Sequence, residues 1–139
     1  MLLLAHRLDP EAGPRLTAPQ TLLALAHQGL RDAARTTAPG ERYALAHLAA
    51  LRAAAAVLAC RTQPQSRRAK PRPAWVLLAE VAPEMAEWAA FFAAGAAKRS
   101  AAESGMTGIV NPREADDLLR DAQSFVAVVE TSLIGKLAG

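Results

Sequence analysis

The sequence predicts an all-α fold, a soluble up-and-down bundle of about four helices. Apolar residues recur every three or four positions along most of the chain, which is the spacing of amphipathic helices, and no segment alternates as a half-buried strand does. The composition is 52% hydrophobic but only 4% aromatic, because alanine, the strongest helix former, supplies much of the apolar fraction. A chain of 139 residues fits one domain with one hydrophobic core.

The first helix is predicted to follow a lead-in of 16 residues. Residues 1–16 hold two prolines and a glycine within five positions, so we expect a loosely ordered segment there and one domain over 17–139. Thr17 and Gln20 stand at the cap and third positions of a capping box, with a proline between them. The helix should continue to about Arg35, and its inner face is carried by Leu22, Leu23, Ala26, Leu30, Ala33 and Ala34.

The second helix is expected from Pro39 to about Arg61, after a short turn at 37–40. Such a short connection makes the first two helices antiparallel neighbours. Residues 62–73 then contain three prolines and four basic residues without an acidic one. This composition predicts a long polar loop.

The third helix is predicted from near Ala74 to about Ser100, with an interruption inside it. Pro83 lacks a backbone N–H and its ring clashes with the preceding turn, so we expect a kink or break close to it. The last helix should begin after Asn111, because Asn111 and Glu114 form a second capping pattern.

Charge and cysteine content narrow the class of protein. The net charge is +3, and the single cysteine, Cys60, rules out an intramolecular disulfide and a cysteine-rich zinc site. The apolar run at the N-terminus is too short for a signal peptide, and no stretch of about 18 apolar residues is present to span a bilayer. We therefore expect a cytoplasmic protein without a membrane partner, a metal or a cofactor. The preference for arginine over lysine is typical of a GC-rich genome such as an actinobacterial one.

Residues 18–60 carry a family resemblance. The segment PQTLLALAHQGLRDAARTTAPGERYALAHLAALRAAAAVLA resembles the opening helical hairpin of the HEPN superfamily, in particular an actinobacterial branch of it. In that family the second helix is an alanine-rich stripe entered through an aromatic residue. The resemblance implies that 17–139 is a small HEPN-like α-helical bundle and that two copies meet across a dimer interface.

Arg42 and His47 match a catalytic motif of this family. Many HEPN proteins are metal-independent ribonucleases in which a histidine follows an arginine by four to six residues, and the spacing here is Arg-x4-His. In such an enzyme the histidine takes a proton from a ribose 2′-hydroxyl and the arginine stabilises charge on the phosphorane.

His27 is a candidate partner of His47. Both histidines lie about eight residues from the turn between the first two helices, so they should sit at the same level of the hairpin. The sequence leaves two interpretations of this pair open: a hydrogen-bonded pair in the core that responds to pH, or half of an active centre.

Two departures from the motif of active members favour a non-enzymatic function. The residue after the arginine is usually polar and is here Tyr43, and the motif opens the second helix although it usually lies in a later one. We therefore expect that Arg42 caps or solvates the helix start and that His47 lines the bundle. The predicted function is a HEPN-like binding or regulatory module, and the alternative is a metal-independent endoribonuclease.

A basic segment provides a second alternative, a nucleic-acid-binding accessory protein. Five positive charges lie within twelve residues and could contact phosphates, but no aromatic residue is interleaved to stack on bases. The basic residues are Arg61, Arg67, Arg68, Lys70 and Arg72.

A homodimer is predicted from Phe91 and Phe92. Two adjacent side chains cannot both point into one narrow apolar stripe, so one of them should face a partner subunit. Beyond a second copy of the chain, we expect RNA or another protein as the partner.

Overall fold

A computed structural model describes residues 17–61 and 72–138, with side chains up to residue 135. Within these ranges the chain forms six α-helices and one short 3₁₀ turn. In chain order they are α1 (Ala18–Arg35), α2 (Pro39–Arg61), α3 (Ala74–Val81), the 3₁₀ turn (Pro83–Met85), α4 (Ala86–Ala94), α5 (Ala96–Glu103) and α6 (Pro112–Ala138). The predicted lead-in (1–16) and most of the predicted 62–73 loop lie outside the described residues.

The helix starts are set by the two capping boxes that the sequence predicts. At α1, the Thr17 hydroxyl accepts a hydrogen bond from the Gln20 backbone N–H, and the Gln20 side chain accepts one from the Thr17 N–H. Asn111 and Glu114 make the same reciprocal pair before α6, at 2.8 and 3.0 Å. Each box satisfies two backbone donors that a helix start otherwise leaves without partners.

The topology is up-and-down, as predicted. The short turn makes α1 and α2 antiparallel, and the segment from α3 to α5 takes the place of the third helix. Arg42 contacts Asp116 near the starts of α2 and α6, whereas Arg61 contacts Ser132 near their ends. The second and last helices of the bundle therefore run parallel, which is the arrangement that an up-and-down order requires.

Helix α2 is the central element, and it packs mainly against α1 and α6. Six of its alanines have no exposed surface: Ala46, Ala49, Ala50, Ala53, Ala54 and Ala56. Their small side chains allow close approach, because a Cβ added to Gly29 of α1 would lie only 3.2 Å from the Ala49 Cβ. Of the helices described, α2 is the one long and apolar enough to cross a bilayer, and 56% of its most apolar window is buried inside the protein.

The third rod of the bundle is interrupted twice. The predicted break near Pro83 is confirmed: α3 ends at Val81, and Ala82 leaves the helical conformation with φ −135° and ψ 71°. A second interruption at Gly95, which separates α4 from α5, was not predicted. The rod also extends to Glu103 instead of ending near Ser100.

Four aromatic side chains fill the core between α3, α4 and α6. Phe92 lies at their centre, with ring centroids 5.2 Å from Trp75, 5.3 Å from Phe125 and 6.1 Å from Trp88. Phe92 and Phe125 are completely buried. These few large rings supply the volume that the alanine-rich helices lack.

Candidate functional site

Arg42 lies in the first turn of α2 and reaches back to the end of α1. Its Nε donates to the Thr36 carbonyl at 2.9 Å and is 3.2 Å from the Ala33 carbonyl, and its Nη1 pairs with Asp116 of α6. The last carbonyls of a helix have no partner within it, so a guanidinium at this position is favourable. Arg42 therefore caps the end of the preceding helix, whereas the sequence predicted a role at the start of its own.

His47 is completely buried one turn further along α2. Its Nε2 lies 2.7 Å from the Phe92 carbonyl oxygen in the last turn of α4. Since a carbonyl only accepts, Nε2 is the nitrogen that carries the hydrogen. Nδ1 is then an unprotonated acceptor, and it is buried without a partner in the part of the chain that the structure describes.

Burial keeps the His47 imidazole neutral. It lowers the pKa of His47 below the ordinary value of 6.5, because a charged ring would lose its hydration. The hydrogen bond to Phe92 opposes this shift, the Arg99 charge adds to it, and Glu103 opposes it again. The motif histidine is thus a neutral hydrogen-bond donor within the bundle.

Tyr43, the residue after the motif arginine, packs against the interruption at Gly95. Its ring lies nearly parallel to that of His47, with centroids 6.4 Å apart. A Cβ added to Gly95 would lie 2.7 Å from the Tyr43 hydroxyl oxygen and 3.5 Å from His47 Cδ2. The second interruption therefore allows the α4–α5 backbone to approach the ring edges of α2, and only glycine fits there.

Comparison with known proteins was made for the whole chain. The family model of the SAV_6107-like HEPN domain matches residues 33–130, which is more than two thirds of the chain. The chain belongs to the HEPN superfamily. The predicted HEPN membership is thereby confirmed, and the match begins at residue 33, near the end of α1, and extends through the third rod into α6. No curated protein and no solved structure matches the chain.

His27 has a partner of its own in this HEPN domain. Its Nε2 lies 3.2 Å from the Glu130 carboxylate of α6, and its side chain is 37% exposed. His47 is instead bonded to α4. The sequence predicted that the two histidines lie at the same level of the hairpin. Each has a different partner, so they do not form a hydrogen-bonded pair.

The two described members of the basic segment are held by carboxylates. Arg61 pairs with Glu84 at 2.6 Å and donates to the Ser132 hydroxyl, and Arg72 pairs with Glu80. Arg67, Arg68 and Lys70 lie outside the described residues. The positive charges of Arg61 and Arg72, at the two ends of the loop, are thus already paired with carboxylates of the domain.

Phe91 and Phe92 separate as the sequence predicted, one outward and one inward. Phe92 is completely buried, whereas Phe91 is 44% exposed. Of these two residues, only Phe91 is therefore placed where it could contact a partner subunit. Phe91 also borders a groove of about 660 Å³, together with Pro83, Glu84, Ala86, Glu87, Trp88 and Asp121.

The described residues of the HEPN domain contain no cluster of metal-ligating side chains. No three histidine, cysteine, aspartate or glutamate side chains lie close enough there to hold an ion together.

Proposed function

We propose that this HEPN domain is a binding module without ribonuclease activity. The observation that carries the proposal is the burial of His47, whose single polar hydrogen is bonded to the Phe92 carbonyl. A general base must come within hydrogen-bond distance of the proton that it removes. No atom of His47 is exposed, so a ribose hydroxyl has no path to it in this fold.

Arg42 supports the same proposal. A catalytic arginine must direct its guanidinium at the phosphate, where the charge develops. In this domain the guanidinium is directed at the last carbonyls of α1 and at Asp116. Releasing it would remove this donor from the Thr36 carbonyl and from Asp116, whereas the Ala33 carbonyl would keep the Thr36 N–H.

A cleavage assay tests the proposal directly. Labelled single-stranded RNA is incubated with the wild-type protein and with His47→Ala in EDTA, beside a known metal-independent ribonuclease as positive control. We expect no cleavage by either form. Cleavage by the wild type that leaves a 2′,3′-cyclic phosphate, and that is lost in both His47→Ala and Arg42→Lys, would overturn the proposal.

We further propose that the module is a homodimer formed through α3 and α4. Helix α4 has Glu87 as its one charged residue, and its exposed side carries Ala90, Phe91 and Ala93. Val76 of α3, also exposed, continues this surface across an alanine-lined groove. An exposed apolar surface of this kind is typical of an interaction site, and small residues let two helices approach closely.

A second copy of the chain fits this surface better than an unrelated partner. The exposed side of α4 repeats small residues, so the same patch on two copies can meet around a two-fold axis. Nucleic-acid binding through the basic segment has less support, because Arg61 and Arg72 are already paired with carboxylates.

A further inference from the structure

We propose that the groove between the 3₁₀ turn, α4 and α6 binds an arginine side chain of a partner protein. The inference rests on the proposed function as a binding module and names the chemistry of its partner. The groove has a volume of about 660 Å³ and is open to solvent. One arginine side chain with its flanking backbone fits a space of this size.

The aromatic lining provides the first half of the recognition. Trp88 is half-buried and borders the groove beside Pro83 and Ala86, and its ring is the one that would stack on the arginine, whereas Phe91 at the edge of the groove belongs to the proposed dimer surface. Trp88 is fixed in place because its ring packs on Phe92 and Phe125 of the core. A cation over the face of such a ring is attracted by the ring quadrupole, and tryptophan is the best of the aromatic residues for this contact.

Unpaired carboxylates provide the second half. Glu84, Glu87 and Asp121 border the groove, and only Glu84 has a cationic partner among the described residues, which is Arg61. Asp121 is half-buried, a position in which a carboxylate without a partner is unfavourable. Among the described residues, no basic side chain lines the groove, although the chain as a whole carries a net charge of +3.

An arginine side chain can contact the aromatic lining and the carboxylates of the groove at the same time. Its planar guanidinium stacks on aromatic faces and donates in a fork that matches a carboxylate, whereas the lysine ammonium is a compact point charge. A phosphate backbone would be repelled by Glu87 and Asp121. A second copy docked groove to groove would bring these same carboxylates together, so the partner is a different polypeptide.

A pair of matched peptides tests the proposal. Acetyl-Gly-Ser-Arg-Ser-Gly-amide is titrated into the labelled full-length protein, and the indole N–H signals of Trp88 and Trp75 are followed by NMR. The control peptide carries citrulline, which keeps the shape of arginine without its charge. We expect the Trp88 signal to shift with the arginine peptide only, the buried Trp75 to stay unchanged, and the affinity to fall as salt is added.

Charge-neutralising variants locate the binding. Glu87→Gln combined with Asp121→Asn should weaken binding of the arginine peptide by about tenfold, the effect of removing two ion pairs that also hold the stacked guanidinium. Glu41→Gln, which removes one negative charge from an exposed residue outside the groove, should leave the affinity unchanged.

Two results would overturn the proposal. One is equal binding of the arginine and citrulline peptides, or binding that the double variant does not weaken. The other is much tighter binding of a peptide with this chain's own residues 62–73, which would make a second copy the occupant. Either result leaves the absence of ribonuclease activity to be judged by the cleavage assay, because that assay does not depend on the groove.

Discussion

At the scale of single residues, His47 links two helices through one hydrogen bond. The Phe92 carbonyl lies in the last turn of α4, where it accepts the Gly95 backbone N–H at 3.1 Å as well as the His47 ring N–H. The imidazole provides a donor there and also fills space between Trp75 and Tyr43. Its contribution is therefore to stability and to the geometry of the interruption.

His47→Ala should destabilise the fold by about 2–4 kcal/mol, because it leaves a cavity and removes a donor from a buried carbonyl. The free energy of unfolding is measured by urea denaturation. His27→Ala is the matched control: this histidine is 37% exposed and pairs with an exposed glutamate, so its loss should cost less than about 1 kcal/mol. Equal costs for the two variants would contradict the structural importance of His47.

The depressed pKa of His47 predicts a pH dependence of stability. Between the ordinary pKa of about 6.5 and the lower folded value, the unfolded chain binds more protons than the folded one. The contribution is therefore fully present above about pH 6.5 and is lost as the pH falls through the folded pKa. We expect urea midpoints of the wild type to fall from pH 7.5 to pH 5.5, and the midpoint of His47→Gln to fall less. Parallel curves would contradict the prediction.

At the scale of elements, α1 is fixed at both ends by side chains. The capping box at Thr17 satisfies its start, and Arg42 satisfies carbonyls at its end. Helix α2 thus holds α1 through a side chain in its own first turn.

Arg42→Ala should cost about 1–2 kcal/mol, because hydrogen bonds from a charged donor are lost while the carbonyls stay half-buried. Asp116→Asn should cost less, since the Asp116 carboxylate is largely exposed. Thermal unfolding of both variants, with the 90%-exposed Arg113→Ala as control, checks the order. If Asp116→Asn lowers the stability as much as Arg42→Ala does, the ion pair with Asp116, and not the cap on α1, accounts for the contribution of Arg42.

Gly95→Ala should destabilise the protein by about 1–2 kcal/mol, because the added methyl group would overlap the Tyr43 hydroxyl. Gly135→Ala in α6 is the control: nothing lies within 4 Å of its added Cβ, so it should stabilise slightly through helix propensity. Tyr43→Phe in the Gly95→Ala background should restore part of the loss, because it removes the overlapping oxygen. No recovery in the double variant would place the strain elsewhere.

The elements differ in how far the sequence predicts them. The two caps and the break at Pro83 are determined by residues within four positions of each other, so local patterns predicted them. The interruption at Gly95 depends on Tyr43, more than fifty positions earlier in the chain. No local pattern contains that information, and glycine within an alanine-rich helix gives no other signal.

At the scale of the whole molecule, the exposed apolar surface of α3 and α4 predicts self-association. Ala90→Arg should shift the protein from dimer to monomer in analytical ultracentrifugation at micromolar concentration, because a charged side chain would be placed within a close helix contact. Ala127→Arg, an equal change on the exposed side of α6, should leave the mass unchanged. A wild type that sediments as a monomer would contradict the homodimer.

In the candidate site, too, local sequence patterns predict some features, whereas others depend on contacts between distant parts of the chain. The motif spacing identified Arg42 and His47 as positions of interest, and both lie within the region that the family model matches. Their contacts depend on partners in other helices: Phe92 lies 45 positions from His47, and Asp116 lies 74 positions from Arg42. The groove bordered by Trp88 and Asp121 likewise combines residues from α4 and α6, which only the fold brings together.

The alanine core of α2 has a consequence for mutational tolerance. A leucine-rich core is damaged mainly by substitutions that shorten a side chain, since these leave cavities. At positions such as Ala46, Ala50 and Ala53 there is almost nothing to shorten, and nearly every substitution adds volume between helices already in contact. Genetic variation along this helix should therefore be confined to glycine and serine, whereas the aromatic core beside it can exchange one large apolar residue for another.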